Sequence, residues 1–375
     1  MQFQNLKFLM VTMILLLIVA GCIQKSKFDG PFVIHKGTNI AHWLSQSERR
    51  GAERAAWFTK KDVVWLAELG CDHIRLPIDE MQLWDEKNNR IPEAFALMNQ
   101  AIDWCAEYGL RVIVDLHIVH SHHFNEGDKP LWTDPAAQER LLQIWRELSA
   151  VLKNRPNGLV AYEILNEAVA DDPDDWNKLL ARVAALIRET EPERTIVIGS
   201  NRWQTPDNFP FLKIPENDPN ILLSFHDYTP LVFTHYKAGW NKVGEYTGPV
   251  KYPGQIIEES DLKGLPDDLV AAINRFNGFF NRDTLAAGMM PAIEYAKAHN
   301  LPLYCGEWGV LQTLPEPDRM RWYADMLSIF EEHNIAWATW NFKSSEFGFQ
   351  YNSGAPDSAL IKTVFPKAEK AEISN

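Results

Sequence analysis

The sequence predicts a closed eight-stranded parallel (β/α)8 barrel, a TIM barrel in the α/β class, on three observations. Short runs rich in β-branched residues alternate with apolar patterns of helical period, the signature of βαβ units and a parallel sheet. Eight such runs occur, which suits closure into a barrel of this length. An open sheet would carry a glycine-rich phosphate turn, and the chain has neither GxGxxG nor a P-loop pattern. No Ser-rich or Pro-rich linker and no internal repeat divides it, so a single domain is expected.

The elements follow in order. Residues 8–20 form an apolar run behind Lys7, too short for a comfortable membrane span. It ends in Val19-Ala20-Gly21-Cys22, which resembles the lipobox of bacterial lipoproteins. The expectation is a signal peptide over 1–21, a lipidated Cys22, a short tether over 22–32 and the barrel over 33–370. The protein would leave the cytoplasm and meet a membrane, periplasmic or at the cell surface, only through that lipid. Strands are predicted over 33–40, 73–78, 111–117, 160–166, 195–200, 221–226, 302–307 and 336–340. Apolar stripes mark helices between them: Leu141, Trp145, Leu148 and Leu152; Trp176, Leu179, Leu180, Val183 and Ile187; Tyr323, Met326, Leu327 and Phe330. The connection over 227–283 is far longer than an ordinary βα loop and reads as a wall or lid over the barrel mouth.

Composition narrows the function. The net charge of −13, with no basic stripe, argues against nucleic acid as a partner. Cys71, Cys105 and Cys305 show no CxxC spacing and read as buried free thiols. Fourteen tryptophans are unusual. Trp43, Trp132, Trp203, Trp240, Trp308 and Trp340 lie beside turn or polar residues, and about half of the indoles are expected in the core. The remainder offer flat apolar platforms that suit the C–H faces of pyranose rings, with Trp43, Trp203, Trp240 and Trp340 as candidate substrate contacts.

In a barrel the C-terminal ends of the strands converge on one mouth. Those ends carry Arg75, Asp115-Leu116-His117, Asn166-Glu167, His226-Asp227-Tyr228, Gly306-Glu307-Trp308 and Trp340. With these residues the sequence resembles family 5 of the glycoside hydrolases, the cellulase-like retaining enzymes, over nearly the whole mature chain. The resemblance implies Glu167 as acid/base and Glu307 as nucleophile, with Arg75, His117, His226, Tyr228 and Trp340 on recurrent positions. Ala168 follows Glu167 where many members have proline, a departure that touches subfamily and not catalysis.

The residue types suit that chemistry. Retention needs two carboxyls about 5 Å apart in opposite charge states. Arg75 and Tyr228 can hold Glu307 ionised, whereas burial beside an anion should raise Glu167 so that it keeps a proton. His117 and His226 would tune the exchange, Asn166 could bond the sugar 2-hydroxyl, and Trp340 would floor the cleaved subsite.

A metal reading of His117, His120, His122 and His123 lacks an HExxH pattern, so no metal and no cofactor is expected; His122 and His123 are placed on the sugar cleft. A non-catalytic surface glycan-binding lipoprotein is the competing class, and it gives no reason for both carboxylates and their partners. The resemblance implies a β-linked glycan, first a β-1,4-glucan cut internally. β-Mannanase, xyloglucanase, β-1,3-glucanase and exo-β-glucosidase activity stay open, and a monomer is expected.

Overall fold

The computed structural model describes residues 27–343, 347–350 and 354–366. The expected signal peptide over 1–21 and the expected lipidation site Cys22 lie outside them. Eight parallel strands close a barrel: β1 (Lys36–Asn39), β2 (His73–Asp79), β3 (Arg111–Ile118), β4 (Val160–Glu163), β5 (Ile196–Gly199), β6 (Ile221–Asp227), β7 (Leu303–Trp308) and β8 (Ala336–Thr339). Each pairs with its neighbour in sequence, and β8 pairs with β1. All eight predicted strands are present. The first and fourth are shorter than expected, because laddering of β4 stops at Glu163 while the chain runs on extended to the turn at Asn166 and Glu167.

The outer layer is helical because each connection carries one apolar stripe that must be buried against the strands. Its principal members are α1 (Lys60–Leu69), α2 (Pro92–Tyr108), α3 (Pro135–Leu152), α4 (Pro173–Arg188), α5 (Arg282–His299), α6 (Glu316–His333) and α7 (Ser358–Val364). The stripe of α3 buries Leu141, Trp145, Leu148 and Leu152, and that of α4 buries Trp176, Leu179, Leu180, Val183 and Ile187. Asp134 caps α3 by accepting from the Ala136 N–H at 2.8 Å, and Asp172 caps α4 from the Asp174 N–H at 2.9 Å. Proline at the first turn of both suits a position whose N–H has no helical partner.

Two irregularities decide what faces the barrel mouth. Register shifts between Ile78 and Asp79, so that His117 is the extra residue of β3, and between Phe225 and His226, so that Gly306 is the extra residue of β7. Such bulges re-aim side chains. The second sets His226 opposite Glu307. Gly306 is required there, since a Cβ would stand 2.9 Å from Ser224 Oγ and 3.1 Å from His226 Nε2.

The segment between β6 and α5 contains short helical turns, the helix Asp267–Asn274 and a two-stranded ladder, Gly254–Gln255 with Phe279–Phe280. Cys71, Cys105 and Cys305 are buried and free. Among the described residues no helix is long and apolar enough to cross a membrane.

Candidate active site

Arg75 organises the mouth. It rises from the middle of β2, wholly buried, and every branch of its guanidinium is engaged. Nη1 donates to Glu307 Oε1 at 2.6 Å and to Asn39 Oδ1 at 2.9 Å. Nε donates to Glu163 Oε2 at 2.6 Å, and Nη2 donates to Asn166 Oδ1 at 2.8 Å and lies 3.0 Å from Asp115 Oδ2. Burial opposes its charge, but Asp115, Glu163 and Glu307 together hold its pKa well above the ordinary value.

Glu167 and Glu307 meet beside this cation. Glu167, Glu307 and His226 each offer an atom within 4.8 Å of the others. Glu307 Oε2 accepts from the Tyr228 hydroxyl at 3.1 Å, and Glu167 Oε1 pairs with His226 Nδ1 at 2.9 Å. Burial raises the Glu167 pKa well above the carboxylate range, and the charge of Glu307 pushes it further. Burial also raises Glu307, and the Arg75 guanidinium opposes that shift. Burial thus lifts both carboxyls, and of the two only Glu307 has a guanidinium hydrogen-bonded to it.

Both histidines of the mouth are neutral. Burial, with Arg75 nearby, pushes His226 well below its ordinary value. Burial takes His117 down to about 3. His117 Nδ1 is 2.7 Å from Asp115 Oδ2, which fixes the ring and leaves Nε2 pointing away. Its plane stacks on Trp340, with centroids 5.6 Å apart and 9° between planes. Asn166 Nδ2, Asp115 Oδ1, His117 Nε2 and His226 Nε2 are buried without a partner. Buried polar atoms are seldom left so in a folded core. All four belong to residues joined to Arg75 or Glu167, directly or through Asp115.

Two sequence expectations fail. Trp43 is fully buried, its indole N–H donating to the Arg54 carbonyl at 2.8 Å and its ring against Phe58, so it is a core residue and not a sugar contact. His122 is buried too: its Nε2 accepts from the Val169 N–H at 3.1 Å and its ring meets Trp132, so it braces the loop that follows Glu167. In both cases polar neighbours in sequence belong to loops that fold inward. His123 stacks on Phe124 at the rim. Trp203 and Trp240 are 40% and 57% exposed, Trp203 with its N–H on the Phe124 carbonyl and Trp240 edge-on to His235.

Sequence reasoning missed Glu163, Gln204 and the part Asp115 plays in the Arg75 cluster. Asp115 and Glu163 had a signal, an acid inside a continuous apolar strand, which must be paired or functional. Gln204 had none, because it enters from a turn at positive φ. Among the described residues, Glu167, His226 and Glu307 are the one grouping of three side chains able to ligate a metal. Glu307 of that grouping is also held by Arg75 and Tyr228.

The sequence model of the cellulase family, glycosyl hydrolase family 5, matches residues 36–346. The chain belongs to glycoside hydrolase family 5. Endoglucanase C of Acetivibrio thermocellus is 33% identical over 338 residues, 88% of this chain and 97% of that protein. Cellodextrinase A of Ruminococcus flavefaciens is 29% identical, covering 81% of this chain and 84% of its own. The crystal structure of endoglucanase Cel5A from Thermotoga maritima superposes with a TM-score of 0.71 at 23% identity, covering 90% of this chain and 98% of that one, a likeness of fold. As a family 5 member the protein hydrolyses O-glycosyl bonds. Glu167 follows the end of β4 by four residues, whereas Glu307 lies within β7 and Arg75 within β2.

Proposed function

We propose that the protein is a retaining endo-β-1,4-glucanase working by double displacement, with Glu307 as nucleophile and Glu167 as acid/base. One observation carries the reading: the two carboxyls approach within 4.8 Å, and only Glu307 is held by a cation. About 5 Å suits direct attack on the anomeric carbon and leaves no room for an intervening water. Glu307 would attack as Glu167 protonates the leaving oxygen. Formation of the glycosyl-enzyme then removes the Glu307 charge that helped to raise Glu167. Glu167 can release its proton and return as the base that activates water.

The neighbours fit supporting roles. Arg75 and Tyr228 hold the nucleophile, neutral His226 steadies the acid/base carboxyl, and Asn166 Nδ2 is free to donate to the sugar 2-hydroxyl as charge grows in the ring. His117 offers Nε2 to a ring hydroxyl, and Trp340 forms the floor beside it. Trp203, His123 and Trp240 supply rim contacts for neighbouring sugars. The β-1,4-glucan and internal cleavage are favoured by the names of the relatives, endoglucanase and cellodextrinase. We place the enzyme outside the cytoplasm as a monomer tethered by lipid at Cys22; Cys22→Ala should abolish membrane retention, and equal retention would refute the tether.

The deciding experiment is NMR of the first-formed product from a cello-oligosaccharide. A β-anomer is expected, and an α-anomer would remove Glu307 from the role of nucleophile. On carboxymethylcellulose, viscosity should drop well ahead of reducing-end release; proportional change would mean exo action.

A further inference from the structure

Glu167 has φ 45, a left-handed backbone conformation that a glutamate adopts only when its surroundings hold it. Its N–H donates to Gln204 Oε1 at 2.8 Å. Gln204 is itself buried, and its Nε2 donates to Glu163 Oε1 at 3.3 Å and to Ser224 Oγ at 3.2 Å. The partners dictate the orientation of the amide, since only its oxygen can accept from an N–H and only its nitrogen can face a carboxylate.

Gln204 reaches this place by an uncommon route. Arg202, Trp203 and Gln204 are three successive non-glycine residues at φ 56, 60 and 55. Single left-handed residues are routine for glycine, but a run of three without glycine needs a compensating gain. The turn sends Trp203 outward to the rim and Gln204 inward under Glu167. The strand before it leaves the room: a Cβ on Gly199 would stand 2.3 Å from Gln204 Cγ and Nε2. Glycine at the end of β5 and the left-handed turn thus serve one purpose, the passage of a single amide side chain into the barrel.

We infer that Gln204 is a positioning residue for the acid/base, a reading that rests on the double-displacement assignment above. It joins the Glu167 backbone to Glu163, and Glu163 is held by the Arg75 guanidinium that also holds Glu307. Both carboxyls are therefore registered on one frame. His226 fixes the far end of the Glu167 side chain and Gln204 fixes its root. Loss of Gln204 lets the acid/base turn relax, and protonation of the leaving oxygen suffers before anything else does, because proton transfer depends on sub-ångström placement.

Gln204→Met keeps the volume and removes both hydrogen bonds, and Gly199→Ala displaces Gln204 without altering it. In each variant kcat/KM for cellotetraose, whose leaving sugar must be protonated, should fall about 30-fold. For 2,4-dinitrophenyl β-cellobioside, whose leaving group needs no acid, it should stay within about threefold. The alkaline limb of the cellotetraose profile should also move, and unfolding midpoints should confirm folded protein. Equal losses on both substrates, or none on cellotetraose, would overturn the inference. Glu167→Ala is the control. If it lacks the leaving-group dependence, the acid/base assignment fails; if it has the dependence and the two variants do not, only the role of Gln204 fails.

Discussion

Arg75 and Arg194 are both fully buried guanidiniums, and their surroundings differ in a way that separates site from scaffold. Arg194 packs on the outer side of the barrel wall. Its Nε donates to Glu191 Oε2 at 2.9 Å, and its other nitrogens donate to the carbonyls of Val160 at 2.7 Å and Arg155 at 2.8 Å. The Tyr162 hydroxyl donates to the same Glu191 oxygen, and the Ser149 hydroxyl donates to the other. One cation meets one carboxylate, and among the described residues no side-chain atom of this group lacks a partner.

Around Arg75 one cation meets three carboxylates, Asp115, Glu163 and Glu307, with Glu167 close behind. The excess of acids cannot all ionise in a buried space, so burial drives Asp115 up to about 7 despite Arg75 and raises Glu163 as well. Unpaired atoms remain on Asp115, His117, Asn166 and His226. A saturated, charge-balanced network stabilises the fold. An unsaturated one with surplus acid holds protons and binding capacity in reserve for a substrate.

That contrast can be broken at its active end first. Glu307→Gly should cost at least about 10⁴-fold in rate, because no other strand-end carboxylate can attack. Its unfolding midpoint should hold or rise, since a surplus acid has gone. Azide should partly restore turnover of an activated aryl β-cellobioside as the α-glycosyl azide. A loss below about tenfold would mean that the Arg75 cluster is scaffold after all.

The outer network should behave in reverse. Arg194→Met strands the buried Glu191 carboxylate and should destabilise the protein by about 3–5 kcal/mol in urea unfolding. Per folded molecule, counted by a mechanism-based fluoroglycoside, kcat/KM should be unchanged. A matching loss of activity would show that the two networks are coupled.

Asp79 sharpens the comparison through pH. It sits buried at the end of β2, accepting from the Gln46 N–H at 2.6 Å, and burial pushes it up to about 7 from 3.8. Because the folded pKa is the higher one, its contribution is fully present below about pH 4 and is lost as pH rises through 7. Asp79→Asn removes that slope. Relative to the unmutated enzyme the variant should gain on the order of 4 kcal/mol between pH 4 and pH 8. Parallel stability curves would place Asp79 outside the surplus of acid.

The smallest effect belongs to the rim. Trp240→Ala should raise KM for cellohexaose about fivefold and leave an aryl cellobioside unchanged, since stacking on an exposed indole contributes about 1 kcal/mol. Equal changes on both substrates would make Trp240 a folding residue.

The amino-acid sequence alone determined the barrel and named the two carboxyls proposed here as its reacting pair. Strand and helix periods are local properties, and a parallel barrel brings strand ends to one mouth whatever their loops do, so Glu167, Glu307, Arg75 and Tyr228 could be read from position along the chain. The insides of β3 and β4 were legible in principle, since Asp115 and Glu163 interrupt apolar runs, but their shared cation belongs to β2 and appears only when the sheet closes. Loops obeyed no such rule. Trp43 and His122 lie in polar stretches and yet fold into the core, while Trp203 and Trp240 remain outside. The bulges that aim His117 and His226, and the left-handed turn that carries Gln204 beneath Glu167, depend on pairing between strands distant in sequence and on space left by Gly199 and Gly306. Tertiary structure decided these features because a bulge or a buried amide is stable only once its partners from other strands are in place.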